Sequence, residues 1–193
     1  LLDYEKDGQA VSRSIDDYYK TKAEREKMRC FGYDAAPGAS NRGPAGTHNI
    51  NWLRRNIKEF DASRTDSVIE LGNFDKGIDD QLDEPMIVKG KVGVFLLDGV
   101  FVGCNTNINP DEVPEGFRRI IARELRENYK PIFERLDALW AFDIVSLEEM
   151  KQERLQQERL RRMKEPDNPG MTDEQILRLV DYVYLDSWDW EST

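Results

Sequence analysis

Four stretches of the chain repeat apolar residues at helical spacing. Ile50, Leu53, Ile57 and Phe60 fall on one face, with Thr47 or Asn49 placed to cap the first turn, and predict a helix over 50–60. Phe117, Ile120, Ile121, Leu125 and Tyr129 recur at steps of three and four and predict a helix over 116–129. Beyond Pro131 the pattern resumes with Ile132, Phe133, Leu136, Leu139 and Trp140, which predicts another over 131–141. Ile176, Leu179, Val180 and Val183 form the last stripe, behind the capping box Thr172-Asp-Glu-Gln175. Val11, Ile15, Tyr18 and Tyr19 make a shorter stripe, read as the start of a helix over 9–30 whose second half is polar.

The β signal is concentrated in the middle. Val92–Leu97 and Val100–Cys104 flank Asp98-Gly99, a pair suited to a tight primed turn, so a hairpin is expected within 86–108. Residues 67–71 read as a short strand and 75–84 as an acidic loop. The segment 32–46 is rich in glycine and proline, which predicts a linker or a stretch that runs over another surface. Ser146 opens a charged helix, 147–164, through a capping box with Glu149; its apolar residues do not share a face, so it is poorly suited to burial against its own domain.

The pattern predicts an α+β fold: a small antiparallel hairpin packed by several amphipathic helices, with extended helical arms at both ends. The expected organisation is an N-terminal arm and Gly/Pro loop over 1–46, a core domain over 47–145, and a charged helix, amphipathic helix and acidic-aromatic tail over 146–193. A length of 193 residues with 39% apolar content supports one core, while 34% charged residues implies much solvated surface.

Charge then changes the picture. The net charge of −10 disfavours nucleic acid in general, leaving the basic run Arg159, Arg161 and Arg162 as the one local surface suited to it or to a protein partner. The tail sets Tyr184, Trp188 and Trp190 among acids, a composition suited either to anchoring a partner or to docking the terminus on its own domain. Cys30 and Cys104 lie far apart without metal-ligand spacing and are expected to be reduced. No apolar run is long enough for a membrane span. The localisation expected is soluble and intracellular: an organelle matrix or stroma after transit-peptide removal, otherwise cytoplasmic or nuclear.

Candidate chemistry is sparse. The lone histidine, His48, has no nucleophile at a predictive spacing, and its alternative reading is a capping or surface role. Asp75, Asp79, Asp80, Asp83 and Glu84 precede Lys89 in an arrangement near that of a metal-dependent nuclease, but Ile87 stands where that pattern needs an acid. Glycines 90, 93, 99 and 103 sit within the predicted hairpin and form no phosphate-binding fingerprint. No catalytic residue, metal site, cofactor or small-molecule substrate is therefore predicted. The leading expectation is a non-catalytic accessory or scaffold subunit of a larger multi-protein assembly, such as an organellar transcription or other gene-expression machine, binding other subunits through Tyr184, Trp188, Trp190, Arg159, Arg161 and Arg162. The alternatives are a metal-dependent hydrolase or nuclease using Asp79, Asp80, Glu84, Lys89 and His48, and a regulatory nucleic-acid-binding protein.

Overall fold

The computed structural model describes residues 8–28, 42–140, 146–166 and 170–186. Its class is α+β. In chain order the strands are β1 (Gln9–Ser14), β2 (Val68–Leu71), β3 (Phe74–Asp75), β4 (Asp80–Gln81), β5 (Met86–Lys89) and β6 (Val92–Asp98). The helices are α1 (Lys22–Lys27), α2 (Ile50–Asp61), α3 (Phe117–Glu124), α4 (Lys130–Phe133), α5 (Leu147–Lys164) and α6 (Asp173–Asp181).

The strands differ from expectation in one consequential way. Residues 9–14, expected as helix, form β1 and pair in parallel with β6, from Ala10 opposite Val94 to Ser14 opposite Asp98. The predicted hairpin after β6 is absent: Val100–Gly103 is turn, and Gly99 closes the strand with φ +152, where a Cβ would lie 2.3 Å from Ile15 Cγ2. Asp98-Gly99 therefore ends a strand at the point where β6 meets the chain leaving β1. The antiparallel pairs are β2 with β5 and β3 with β4.

Two cores hold these elements. Ile15, Tyr18, Ala45, Ile50, Leu53, Phe101, Ile121, Ala122, Leu125, Tyr129 and Ile132 form the larger, where the stripes of α2 and α3 meet the strand ends. Val11, Phe60, Ile69, Leu71, Val88 and Val92 form the smaller, between α2 and the strands. The cap of α2 is Asn49, whose side chain accepts the Trp52 N–H, as its sequence suggested. The stripe of 131–141 continues as helix only to Phe133, and Leu139 and Trp140 are exposed.

Between α3 and α4 the helix widens into a π-turn, Leu125–Tyr129, closed by the Lys130 N–H donating to the Leu125 carbonyl. Pro131 has no N–H to give, which removes one rung of the regular ladder at this point. The wider turn belongs to the wall that presents Tyr129 to the interior. The described end of the Gly/Pro segment is also inside: Pro44, Ala45, Gly46, Thr47 and His48 are all buried, so this part is no loose linker.

Candidate functional site

Parallel strands bring their carboxyl ends to one edge, and in α/β arrangements that edge is where ligands bind. At the end of β1, Ser14 caps a short 3-10 turn, Ile15–Tyr18, through the Asp16 N–H, while the Asp17 carboxylate takes the Ser14 N–H at 2.9 Å. Arg13 stands 3.0 Å from Asp17 and donates to the Gly72 carbonyl at 2.5 Å. Asp17 is thereby held by its own turn; the Asp16 carboxylate, with a quarter of its side chain exposed as in Asp17, is instead met by side chains from other segments.

Two other segments converge on Asp16. Lys76, on the turn between β3 and β4, donates to its Oδ2 at 2.8 Å. His48 places Nε2 3.8 Å from its Oδ1. Tyr19 stacks flat on the His48 ring at a centroid distance of 4.4 Å, and the two residues share an isolated β-bridge. The strand-like contact is continued by Lys20 N–H to the Thr47 carbonyl and Asn49 N–H to the Tyr18 carbonyl. Behind His48, the Tyr129 hydroxyl lies 2.6 Å from Nδ1 and accepts the Gly46 N–H at 2.8 Å.

The turn that carries Lys76 is clamped from beneath. Arg25 of α1 is 1% exposed and gives hydrogen bonds to the Lys20 carbonyl, the Asp79 carbonyl and Asp79 Oδ1, the last at 2.9 Å. Arg42 reaches the same Oδ1 at 3.3 Å, and both guanidiniums lie over the Phe74 ring. Asp79 itself has φ +59, a left-handed conformation that aspartate tolerates better than most residues. Gln81 completes the attachment by donating to the Asp17 and Tyr19 carbonyls.

Burial raises the Asp16 pKa, but the facing His48 and the Lys76 ammonium outweigh it and hold the carboxyl well below the usual range. Burial dominates at His48 and lowers its pKa from 6.5 despite the opposing carboxylate, so the ring is neutral at physiological pH. A pH dependence of stability follows. Because the His48 pKa is lower in the folded chain than in the unfolded one, its contribution is complete above about pH 6.5 and declines as acid protonates the unfolded state. Below pH 6.5 stability is expected to fall with acid by at most about 1.4 kcal/mol per pH unit from this one group, measured by urea unfolding, and the fall to be smaller in His48→Gln.

The residues singled out by sequence are placed differently from one another. Asp79 is bound by the two arginines, and Asp80 accepts the Lys22 and Gln81 N–H groups. The Glu84 carbonyl accepts from Asn73, and Lys89 lies exposed on β5. These residues do not converge on His48, and among the described residues no cluster of His, Cys, Asp or Glu could hold a metal ion by itself. Arg159 and Arg162 both bind Asp173 at 2.9 Å, and Arg161 binds Glu158 and Glu165, so the basic run meets acids of α5 and α6. Tyr184 is half-buried, and Trp188 and Trp190 lie outside the described residues. Cys104 is half-buried with its thiol pushed up to about 12, unsuited to nucleophilic work, and Cys30 lies outside the described residues. Asp16, Lys76 and Tyr129, the partners of His48, were missed as site residues. The signal available was the pair Asp16-Asp17 directly after the stretch holding Val11 and Ile15, hidden because that stretch was read as helix.

No protein-family model matches the chain. It is 26% identical over 194 residues to mug58, an uncharacterised kinase of Schizosaccharomyces pombe, covering 92% of this chain and 68% of that protein. Its fold is similar to that of a D-glycerate 3-kinase from Cryptococcus neoformans var. grubii, with a TM-score of 0.74 at 23% identity over 93% of this chain and 70% of that one. The YGR205w protein is similar with a TM-score of 0.71 at 24% identity, over 93% of this chain and 66% of its own. At such identities the two solved structures show a shared fold.

These similarities overturn the expectation of a non-catalytic accessory or scaffold subunit, with its organellar gene-expression setting and its lack of a small-molecule substrate. The hydrolase or nuclease and the nucleic-acid binder fall with it, the first also because its residues are scattered. The sequence reading had no local signature to work from, because the residues that meet at Asp16 come from separate stretches of the chain. As to membranes, no helix among the described residues is long and apolar enough to cross one.

Proposed function

We propose that this chain forms the phosphoryl-acceptor side of a small-molecule kinase whose acceptor is a small hydroxy acid of the glycerate type. The observation that carries the reading is the Asp16 carboxylate at the carboxyl ends of β1 and β6, partly open and flanked by Lys76 and His48. Similarity to a kinase in sequence and to a D-glycerate 3-kinase in fold, along more than nine-tenths of the chain, supports it.

Asp16 suits the acid-base part. Held ionised, it takes the proton of the acceptor hydroxyl as that oxygen bonds to the terminal phosphorus of a nucleoside triphosphate; the bond to the bridging oxygen breaks, and the diphosphate leaves with the electron pair. Lys76 carries the positive charge that either the acceptor carboxylate or the transferring phosphoryl group requires, and with two thirds of its side chain exposed it can move onto a ligand. A magnesium ion held by the triphosphate needs only one or two protein carboxylates, and the exposed Asp98 at the end of β6 could supply one; the ion would neutralise phosphate charge there.

The test is ADP release from ATP by the purified chain with D-glycerate, against glycerol and no acceptor. Release that depends on D-glycerate supports the reading, and a folded chain that neither releases ADP above the blank nor binds D-glycerate in calorimetric titration defeats it. Within an active enzyme, Lys76→Met is expected to raise KM for D-glycerate about ten- to hundredfold, the worth of one charge-assisted contact, with a change in stability of about 1 kcal/mol because the Lys76 end of the pair is two-thirds exposed.

A further inference from the structure

His48 is an unusual residue for its surroundings. It is 2% exposed, it is the only histidine of the chain, and its Nε2 makes no hydrogen bond among the described residues. A buried ring nitrogen without a partner is costly and wants a reason. Its direction supplies one, since Nε2 looks at Asp16 Oδ1 across 3.8 Å.

The chemistry of the two neighbours fixes the ring. A neutral imidazole carries one proton, and the Asp16 carboxylate can only accept. Were the proton on Nδ1, the Nε2 lone pair would face that carboxylate in a buried setting, two acceptors against each other. With the proton on Nε2, the ring points a donor at Asp16, and Nδ1 accepts from the Tyr129 hydroxyl at 2.6 Å. Tyr129 is itself pinned, being fully buried and taking the Gly46 N–H. Tyr19 stacks on the ring and prevents it from turning.

We infer that His48 is a positioning residue for the reaction proposed above, its Nε2–H aiming the Asp16 carboxylate and keeping it ionised, with Tyr129 holding the ring in the required tautomer. The gap of 3.8 Å is short of a hydrogen bond, so a small rotation of Asp16 toward His48 makes the contact. Such a rotation is what transfer of Lys76 from Asp16 to a bound anion would permit. His48 thus takes over the stabilisation that Lys76 gives Asp16 in the ligand-free chain. The charged or titratable groups facing this pair are Lys20, which opposes protonation of His48, Lys76, which favours the Asp16 carboxylate, Asp17 beside it, and the hydroxyls of Tyr19 and Tyr129. The inference rests on the proposed function for its catalytic meaning but not for its physical content.

The experiment has one arm that needs no turnover. In the full chain labelled with 15N-histidine, the single ring is expected to show a protonated Nε2 and an unprotonated Nδ1 from pH 6 to 8. In His48→Leu, the titration of the Asp16 carboxyl carbon is expected to move to higher pH. A ring protonated on Nδ1, a ring that titrates near 6.5, or an Asp16 titration unmoved by His48→Leu overturns the inference, even if the chain proves not to be a kinase.

In an active enzyme, His48→Leu is expected to lower kcat about ten- to hundredfold, keep KM for D-glycerate within about threefold, and shift the acid limb of the kcat profile upward in pH. His48→Gln, whose amide N–H can reach the same place, is expected to recover most of kcat. If His48→Leu is too unstable to assay, Tyr129→Phe serves: it keeps the ring packing, removes the hydroxyl, and is expected to give a mixture of ring tautomers with a smaller loss of kcat. An unchanged pH profile together with equal losses in His48→Gln and His48→Leu would assign His48 a purely structural role.

Discussion

Asp16→Asn is expected to lower kcat with ATP and D-glycerate by about two to four orders of magnitude, the range lost when a positioned base is removed. Asparagine has the same volume and can still accept the Lys76 hydrogen bond, so circular dichroism at the assay temperature should report a folded chain. Asp17→Asn is the matched control. Asp17 is tied to Ser14 and Arg13 within the turn, so its loss should act on stability more than on turnover. If Asp16→Asn retains more than a tenth of kcat, Asp16 is not the reacting carboxylate and the proposed chemistry is wrong. The pair of variants also separates the two adjacent acids, which are equally exposed and differ in their partners: Ser14 and Arg13 for Asp17, Lys76 and His48 for Asp16.

The second large effect is structural. Arg25→Met is expected to destabilise the chain by about 3 kcal/mol, the lower end for breaking a buried ion pair, because Arg42 remains on Asp79. For a chain of this size that is about 6–12 °C in Tm, read by thermal unfolding. The Lys20 and Asp79 carbonyls each lose a donor, and Asp79 keeps its left-handed backbone without its principal clamp. Arg25→Lys should not restore stability, since one ammonium cannot serve three acceptors in the directions of a guanidinium fork. Arg42→Met should cost less, as that side chain is a quarter exposed. A Tm within 2 °C of the wild type would show that the clamp does not hold the turn.

The parts legible in the sequence were those in which one element carries its own signal. Helix α2 has its stripe, its cap and its end in thirteen consecutive residues, and the structure reproduces them. The first element was misread because Val11 belongs to β1 while Ile15 and Tyr18 belong to the following 3-10 turn. The four-residue spacing spans two elements and mimics one helix. Parallel pairing gives no local sign at all, as the partner of Arg13 is Leu97. Asp98-Gly99 was over-read for the same reason: a turn-forming pair marks the end of a strand whether or not a second strand returns beside it.

The candidate site was illegible in a stricter sense. His48 was noticed as a lone histidine, but Asp16, Lys76 and Tyr129 come from distant stretches and only the fold collects them. The Gly/Pro segment was read from composition as a linker or a stretch running over another surface, and its described end is buried and supplies the Gly46 N–H that fixes Tyr129. The acidic cluster, read only as an incomplete alternative site, gathers no common ligand set, and Asp79 within it is bound by Arg25 and Arg42.

The parallel pairing of β1 with β6 also sets an order of events in folding. Joining positions 13 and 97 closes a loop of more than eighty residues, whose entropic cost comes before any of the contacts it allows. The β2–β5 pair joins Leu71 and Met86, a far shorter closure, and can form early together with α2. The strand that delivers Asp16 is therefore placed late, once the surface that receives it already exists. We expect a newly made chain to form the β2–β5 region before the candidate site, and to become competent for a ligand only when β1 closes on β6.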